Sequence, residues 1–441
     1  MTATGAKRAG PVRPGDRRTA IVVGGGASGV AAAWYLRDAG WQVTIVEAAD
    51  RLGGRAASSL MGDREVTLGG KNIGHRYRRF REFIEAHGPA EYEPFGINSS
   101  RVTPRGLQTV DSSRRARSLL GLVRDIAPRD IVRLGTWARR VARNEDDRWA
   151  DSPYFGRIGA DRGDPTVAEV LGRRAVDTLV RPMTVRMNGA EPDEALISAF
   201  GSNLGTLLDT YDQLTGGFGP VLERFAATVD CRLSTRVVGT RPTDRRRAVI
   251  VEGGETLEAD AVVLALPAAS AAALVRDEAP GVARALDSVR YFPARVVVAE
   301  YDRPVFTPAV RAVVFGADSI VSNAGAYGID DLGTIRYTFS GRRARGQLDR
   351  EPDELLGAAE ATLGRHMPVA AARRVRYATA LWERAYCAFG RGHHALAREL
   401  ERPIAPGLHV CGDFVSGASM EACFRSAERT TGAVAAAPVA R

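Results

Sequence analysis

The stretch from Ile21 to Arg55 constrains the fold more than any other. It alternates strand, glycine turn, helix and strand within a few dozen residues. Ala20 to Val23 is a short apolar run that reads as a strand. Gly24, Gly26 and Gly29 follow with G-x-G-x-x-G spacing, and Ala27 and Ser28 lie between the last two. Val30 to Ala39 has the apolar density of a buried helix, and Gly40 stops it. Gln42 to Val46 reads as a second strand, ending at Glu47 and Ala48. In such a βαβ unit the first glycine allows the tight turn, the second lets backbone approach a pyrophosphate, and the third lets helix and strand pack closely. The helix N-terminus turns bare N–H groups and a positive dipole end toward the phosphates. Glu47 stands where a carboxylate would bind ribose hydroxyls. A plain βα turn is the bland alternative, and the flanking strands and acidic terminus count against it.

Arg51-Leu52-Gly53-Gly54-Arg55 comes next. Gly53 and Gly54 permit a second close backbone approach, and the guanidiniums of Arg51 and Arg55 can pair with phosphate oxygens. A Rossmann start followed by R-x-G-G-R resembles the flavin amine oxidase superfamily, which holds monoamine and polyamine oxidases, protoporphyrinogen oxidases and phytoene desaturases. The resemblance implies FAD and hydride transfer to flavin N5.

Further segments match the same pattern. Leu68-Gly69-Gly70-Lys71-Asn72-Ile73-Gly74-His75 corresponds to the family segment that passes the flavin ring, with Thr67 where an acidic residue often stands. Of 61 basic residues only two are lysines, Lys7 and Lys71. Lys71 reads either as a catalytic ammonium near the flavin N1–C2=O or N5, or as a surface or phosphate-pairing lysine. The family usually carries its flavin lysine later in the chain, where this sequence has none. Thr235-Arg236-Val237 and Ala265-Leu266-Pro267 resemble the middle FAD segment, which implies adenine binding by Val237. Trp382, Tyr386 and Phe389 stand where family aromatics line the flavin face, or else pack a core. Cys387 does not match the flavin-linking cysteine of monoamine oxidases, so noncovalent FAD is expected. Gly412 and Asp413 close a strand, and Ser419, Met420 and Glu421 open a helix. By resemblance Asp413 binds the ribityl chain, and the helix N-terminus faces N1–C2=O.

The fold class is therefore α/β: a discontinuous Rossmann-like FAD-binding domain with an α+β substrate domain. Residues 19–88, 231–292 and 400–441 are assigned to the first, residues 89–230 and 293–399 to the second, and residues 1–18 to a basic tail. A formal net charge of +9 suits anionic partners, but no nucleic-acid motif accompanies it. Four scattered cysteines without C-x-x-C point to a reducing compartment and no metal site. The N-terminus has no apolar signal core, and no apolar run approaches a membrane span. The expected location is cytoplasmic.

Residues 112–148 form a basic amphipathic pair, with Ile131, Val132, Leu134, Trp137 and Val141 as one apolar face. The pair either touches a membrane surface or packs as an ordinary helical bundle. Helices are expected at Thr166–Leu171 (capped by Asp164), Ala175–Met187, Gly189–Pro192 and Leu196–Leu208. His75, His393 and His394 are candidate bases or structural residues. The expected reaction takes a hydride from a C–N or C–C unit of a small or medium organic substrate, with O₂ or another acceptor reoxidising the flavin. A carotenoid- or lipid-type desaturase and a nonredox flavin isomerase are the alternatives.

Overall fold

The computed structural model describes residues 17–94, 98–103, 106–111 and 126–436. The tail up to residue 16 and residues 112–125, where the first of the two basic amphipathic segments is expected, lie outside the described residues.

β1 (Thr19–Val23), α1 (Ala27–Asp38) and β2 (Gln42–Val46) form the expected βαβ start. α1 buries Val30, Ala31, Ala32, Ala33, Trp34 and Leu36, so it is apolar nearly all round. β1 presents Ala20 and Val22 to one core and Ile21 and Val23 to another. A parallel strand covered on both faces needs this unbroken apolar run. The chain returns to the same sheet as β3 (Asp230–Arg232) beside β2 and β4 (Ala261–Leu264) beside β1. Between them an antiparallel meander runs through Val237–Pro242, Arg247–Val251 and Thr256–Ala259.

A second sheet follows. β5 (Arg290–Tyr301), β6 (Ala312–Val314), β7 (Asn323–Ala326), β8 (Thr334–Phe339) and β9 (Arg374–Ala388) lie in the order β9-β5-β8-β7-β6. Strands Asn98–Thr103 and Gly106–Asp111 extend it. The helix Pro352–Gly364 buries Leu355, Leu356, Ala359 and Leu363 in this sheet's core. β10 (Leu408–Val410) then pairs with β4 and completes a five-stranded parallel sheet, ordered β3-β2-β1-β4-β10.

A helical lobe gathers α3 (Pro128–Arg143), α4 (Arg181–Asn188) and α5 (Phe200–Leu207) around Trp137, Phe155 and Phe200. α2 (Arg78–Ala86) buries Phe80, Phe83 and Ile84. The closing helix α6 (Met420–Ala436) packs on α1 and α2, with Phe424 against Trp34, Phe80 and Phe83.

Several local expectations need correction. Ile131 and Val132 of α3 are exposed, while Trp137 and Val141 are buried. The buried stripe runs through Asp130, Trp137 and Val141, so the apolar face is narrower than the composition suggests. Gly189–Pro192 is not helical, because Gly189 ends α4 at a left-handed φ of 62°. The short helix Val167–Val170 is capped by Thr166 in a capping box with Glu169, not by Asp164. Asp164 instead accepts from the Ser198 hydroxyl at 2.8 Å. Ser58–Met61 and Arg64–Thr67 pair as a hairpin. Among the described residues no helix is long and apolar enough to cross a membrane.

Candidate active site

The fingerprint turn is shaped by close backbone packing. A Cβ at Gly29 would fall 1.8 Å from the Gly24 carbonyl oxygen, so only glycine fits. A Cβ at Gly26 would meet nothing within 4 Å, so this turn faces open space. The second glycine turn docks beside the first through the Gly53 N–H, which donates to the Gly25 carbonyl at 2.8 Å. Glu47 is fixed at the end of β2. Its carboxylate accepts from the Gly25 N–H at 2.6 Å and the Ala49 N–H at 2.7 Å. These amides orient the acid at the rim of a cavity of about 1290 Å³.

That cavity runs between the parallel sheet and the second sheet. Its wall includes Gly24, Gly26, Ala27, Ser28, Glu47, Gly53, Gly54 and Arg55 from the first chain segment. Gly69, Gly70, Lys71 and Asn72 join from the next, with Trp382, Tyr386 and Phe389 from β9 and the turn after it. Gly412, Asp413, Ser419 and Met420 complete it from the C-terminal segment. Five residues of the sequence reading stand off the wall. Gly29 is packed under the turn, Ala48 lies past the end of β2, and Val237 packs with the core under the meander. Arg51 is exposed, 3.8 Å from Asp50. Glu421 is fully buried and accepts from the Arg79 and Phe80 N–H groups, so its side chain caps α2.

Arg55 ties the two ends of the chain together. Its Nη1 lies 2.8 Å from Asp413 Oδ2 and donates to the carbonyls of Arg384 and Ala385 at 2.9 and 3.0 Å. Burial works against the Arg55 charge, but Asp413 outweighs it and raises the guanidinium above its usual range. Asp413 Oδ1 accepts from the Tyr291 hydroxyl at 2.9 Å. Burial, then Asp413, pushes that phenol upward.

Lys71 is buried. Its ammonium donates to Gln213 Oε1 at 2.7 Å and to the Tyr327 carbonyl at 2.5 Å, and sits 4.1 Å from the Tyr327 ring centre. Trp382 Nε1 donates to the Leu68 carbonyl at 2.9 Å, fastening β9 to the segment that carries Lys71. The Phe389 ring lies 4.0 Å from that of His393. His393 and His394 face the carbonyls of Phe414 and Ser198, and His75 pairs with Asp212, so all three have structural partners.

Sequence reasoning missed the cations of the opposite wall. Arg186 on α4 and Arg336 on β8 both line the cavity and flank Tyr386. Arg336 donates to the carbonyls of Thr67 and Gly69 at 2.6 and 2.7 Å. Burial lowers the pKa of both guanidiniums, and the groups that oppose this are tyrosines: Tyr386 and Tyr211 for Arg186, Tyr327 and Tyr386 for Arg336. Among the described residues neither has a carboxylate in ion-pair contact. In a chain this rich in arginine, nothing in the local sequence separates these two from the rest. Among the described residues no group of His, Cys, Asp and Glu could hold a metal ion.

Residues 27–435 match the family model for flavin-containing amine oxidoreductases. The chain belongs to this family. It is therefore an FAD-dependent oxidoreductase. It is 28% identical over 460 residues to coproporphyrinogen III oxidase of Mycobacterium tuberculosis, covering 95% of this chain and 97% of that one. It is 25% identical over 263 residues to polyamine oxidase 2 of Arabidopsis thaliana, covering 56% of this chain and 50% of that one. In fold it is similar to cyclohexylamine oxidase of Brevibacterium oxydans, with a TM-score of 0.77 at 20% identity over 95% and 99% of the two chains. A putrescine oxidase bound to putrescine gives 0.75 at 17% identity, again over 95% and 99%.

Proposed function

We propose that this enzyme oxidises a small molecule bearing carboxylates, of the kind represented by a propionate-bearing porphyrinogen. The observation that carries the reading is the pair Arg186 and Arg336, half-buried in the cavity wall and, among the described residues, with no carboxylate in ion-pair contact. A guanidinium facing a binding cavity with no acid of its own is matched by an anion from the ligand. A protonated amine is disfavoured there, because like charges in a poorly solvated cavity repel. The resemblance to coproporphyrinogen III oxidases spans nearly both whole chains, whereas that to polyamine oxidase spans about half.

When bound, FAD supplies the acceptor for a hydride. Gly26, Gly53 and Gly54 offer the close backbone approach its pyrophosphate needs. Asp413, steadied by Arg55 and Tyr291, would accept from its ribityl hydroxyls. The N-terminus of α6, beginning at Met420, would stabilise negative charge gathering at the ring's N1–C2=O edge. Arg186 and Arg336 hold the substrate by its carboxylates, and Trp382 and Tyr386 confine its reacting part.

The test is anaerobic mixing of the yellow holoenzyme with a propionate-bearing porphyrinogen and with its methyl ester. The acid should bleach the flavin and the ester should not at equal concentration. Arg186→Leu should raise KM for the acid by roughly tenfold or more, since a charge-assisted hydrogen bond contributes about 1.5–3 kcal/mol. Equal bleaching by acid and ester, with an unchanged KM in the variant, would overturn the carboxylate reading. Turnover without any bleaching would point to a nonredox isomerase instead.

A further inference from the structure

A second cavity, of about 780 Å³, adjoins the first. Two residues belong to both walls, Lys71 and Gly328. Gly328 has no side chain, so among the described residues the only side chain shared by the two cavities is that of Lys71. The second cavity is acidic, with Glu65, Glu93, Asp330 and Asp331 on its wall. Its cations are Lys71 and Arg64, and Arg64 is paired to Asp331 at 2.6 Å. Gln213 links the lysine to this side: it accepts from Lys71 and donates to Glu93 Oε2 at 2.6 Å.

The oxidation proposed above removes a hydride and a proton from the substrate. The hydride has FAD as its acceptor, but the proton needs a base and an exit. The guanidiniums of the substrate cavity cannot serve, because arginine stays protonated. Lys71 can. Burial and the nearby Arg336 and Arg64 favour its neutral amine, against the pull of Glu93 and Asp331. Tyr327 faces it through its carbonyl and ring.

We propose that Lys71 is the proton outlet of the substrate cavity. Its amine accepts the proton the substrate gives up as the hydride leaves, and releases it to solvent through the acidic second cavity, past Glu93. The balance is simple. One C–H bond breaks with its electron pair going to FAD, a substrate N–H bond breaks and leaves its pair in the new C=N bond, the freed proton forms an N–H bond on Lys71 Nζ, and loss of that proton to solvent restores the amine. The inference rests on hydride transfer in the larger cavity but not on the carboxylate reading.

The lysine count makes this directly observable. In Lys7→Arg holoenzyme, Lys71 is the sole lysine, so carbon-13 labelling of the lysine Cε gives one side-chain NMR signal. That signal should titrate well below the ordinary lysine range, near 10.4, and should move lower still in Glu93→Gln, which removes a group favouring the charged form. Flavin reduction by the porphyrinogen acid, followed anaerobically against pH, should rise along the same titration as the amine becomes neutral. Lys71→Met should lose that limb and slow by about tenfold or more, and added ethylamine should restore part of the rate. A Lys71 signal at the ordinary position, unmoved by Glu93→Gln, overturns the proposal whatever the substrate does. So does a Lys71→Met enzyme that keeps the wild-type pH profile. Failure of carboxylates to bleach the flavin would instead count against the substrate reading, and the NMR titration decides the lysine separately.

Discussion

His393 and His409 are buried, and burial holds both imidazoles at a pKa of about 4. Their unfolded value is about 6.5, so between those limits the unfolded chain binds more protons than the folded one. Stability therefore falls as pH drops from about 6.5 toward 4, by as much as about 1.4 kcal/mol per pH unit for each histidine. A urea midpoint measured at pH 7 and pH 5 should drop, and His409→Leu should remove about half of the drop. An unchanged pH dependence in that variant would show that His409 does not contribute. The same residue scale shows what the sequence makes legible. Gly24, Gly29, Gly53 and Gly54 are readable because backbone geometry demands glycine there. Arg186 and Arg336 are not, because the role proposed for them comes from having no acid in ion-pair contact among the described residues, and sequence spacing carries no record of a missing neighbour. Glu421 was assigned to the cofactor wall by its place in a motif, while its side chain turns the other way, onto α2.

That contact belongs to the scale of elements. Glu421, in the first turn of α6, caps α2 and meets Arg79 at 3.2 Å, while Glu428 of α6 meets Arg79 at 2.6 Å. Glu421→Ala strips the cap and one partner of a buried arginine. The expected cost is about 3 kcal/mol, the low end for breaking a buried pair because Glu428 remains. Chemical denaturation would measure it, and a loss below about 1 kcal/mol would show that α2 keeps its seat without Glu421. At the fingerprint, Gly29→Ala drives a methyl into the Gly24 carbonyl, so the purified variant should lose its yellow colour while far-UV dichroism stays close to wild type. Retained stoichiometric flavin would contradict this. Element types were easier to read than their extents. β9 runs through Trp382 and the aromatics after it to Ala388, because its pairing with β5 continues to the Arg290–Ala388 pair. Those long-range hydrogen bonds leave no local signal.

For the whole molecule, the parallel sheet draws on residues 19–46, 230–264 and 408–410. The last strand to be made is on its edge, beside β4. No continuous piece of chain contains this sheet, so the two sheets are not expected to melt as independent units. Flavin release, seen as a rise in its fluorescence, should coincide with loss of far-UV dichroism in urea. A flavin transition well before the dichroism change would mean that the cofactor half opens by itself. The general architecture was legible from the two ends of the chain, where strand, glycine turn and helix follow each other. The cavity's far wall was not, since α4, β6, β7 and β8 meet there from separate stretches whose only shared property is that the fold juxtaposes them.

Arg55 gives this arrangement a practical edge. One planar cation is stapled to Asp413 and to the carbonyls of Arg384 and Ala385. The socket is thus cut to shape in advance. Protein stripped of its coenzyme should recolour in a single fast, saturable step, as a key slides into a finished lock.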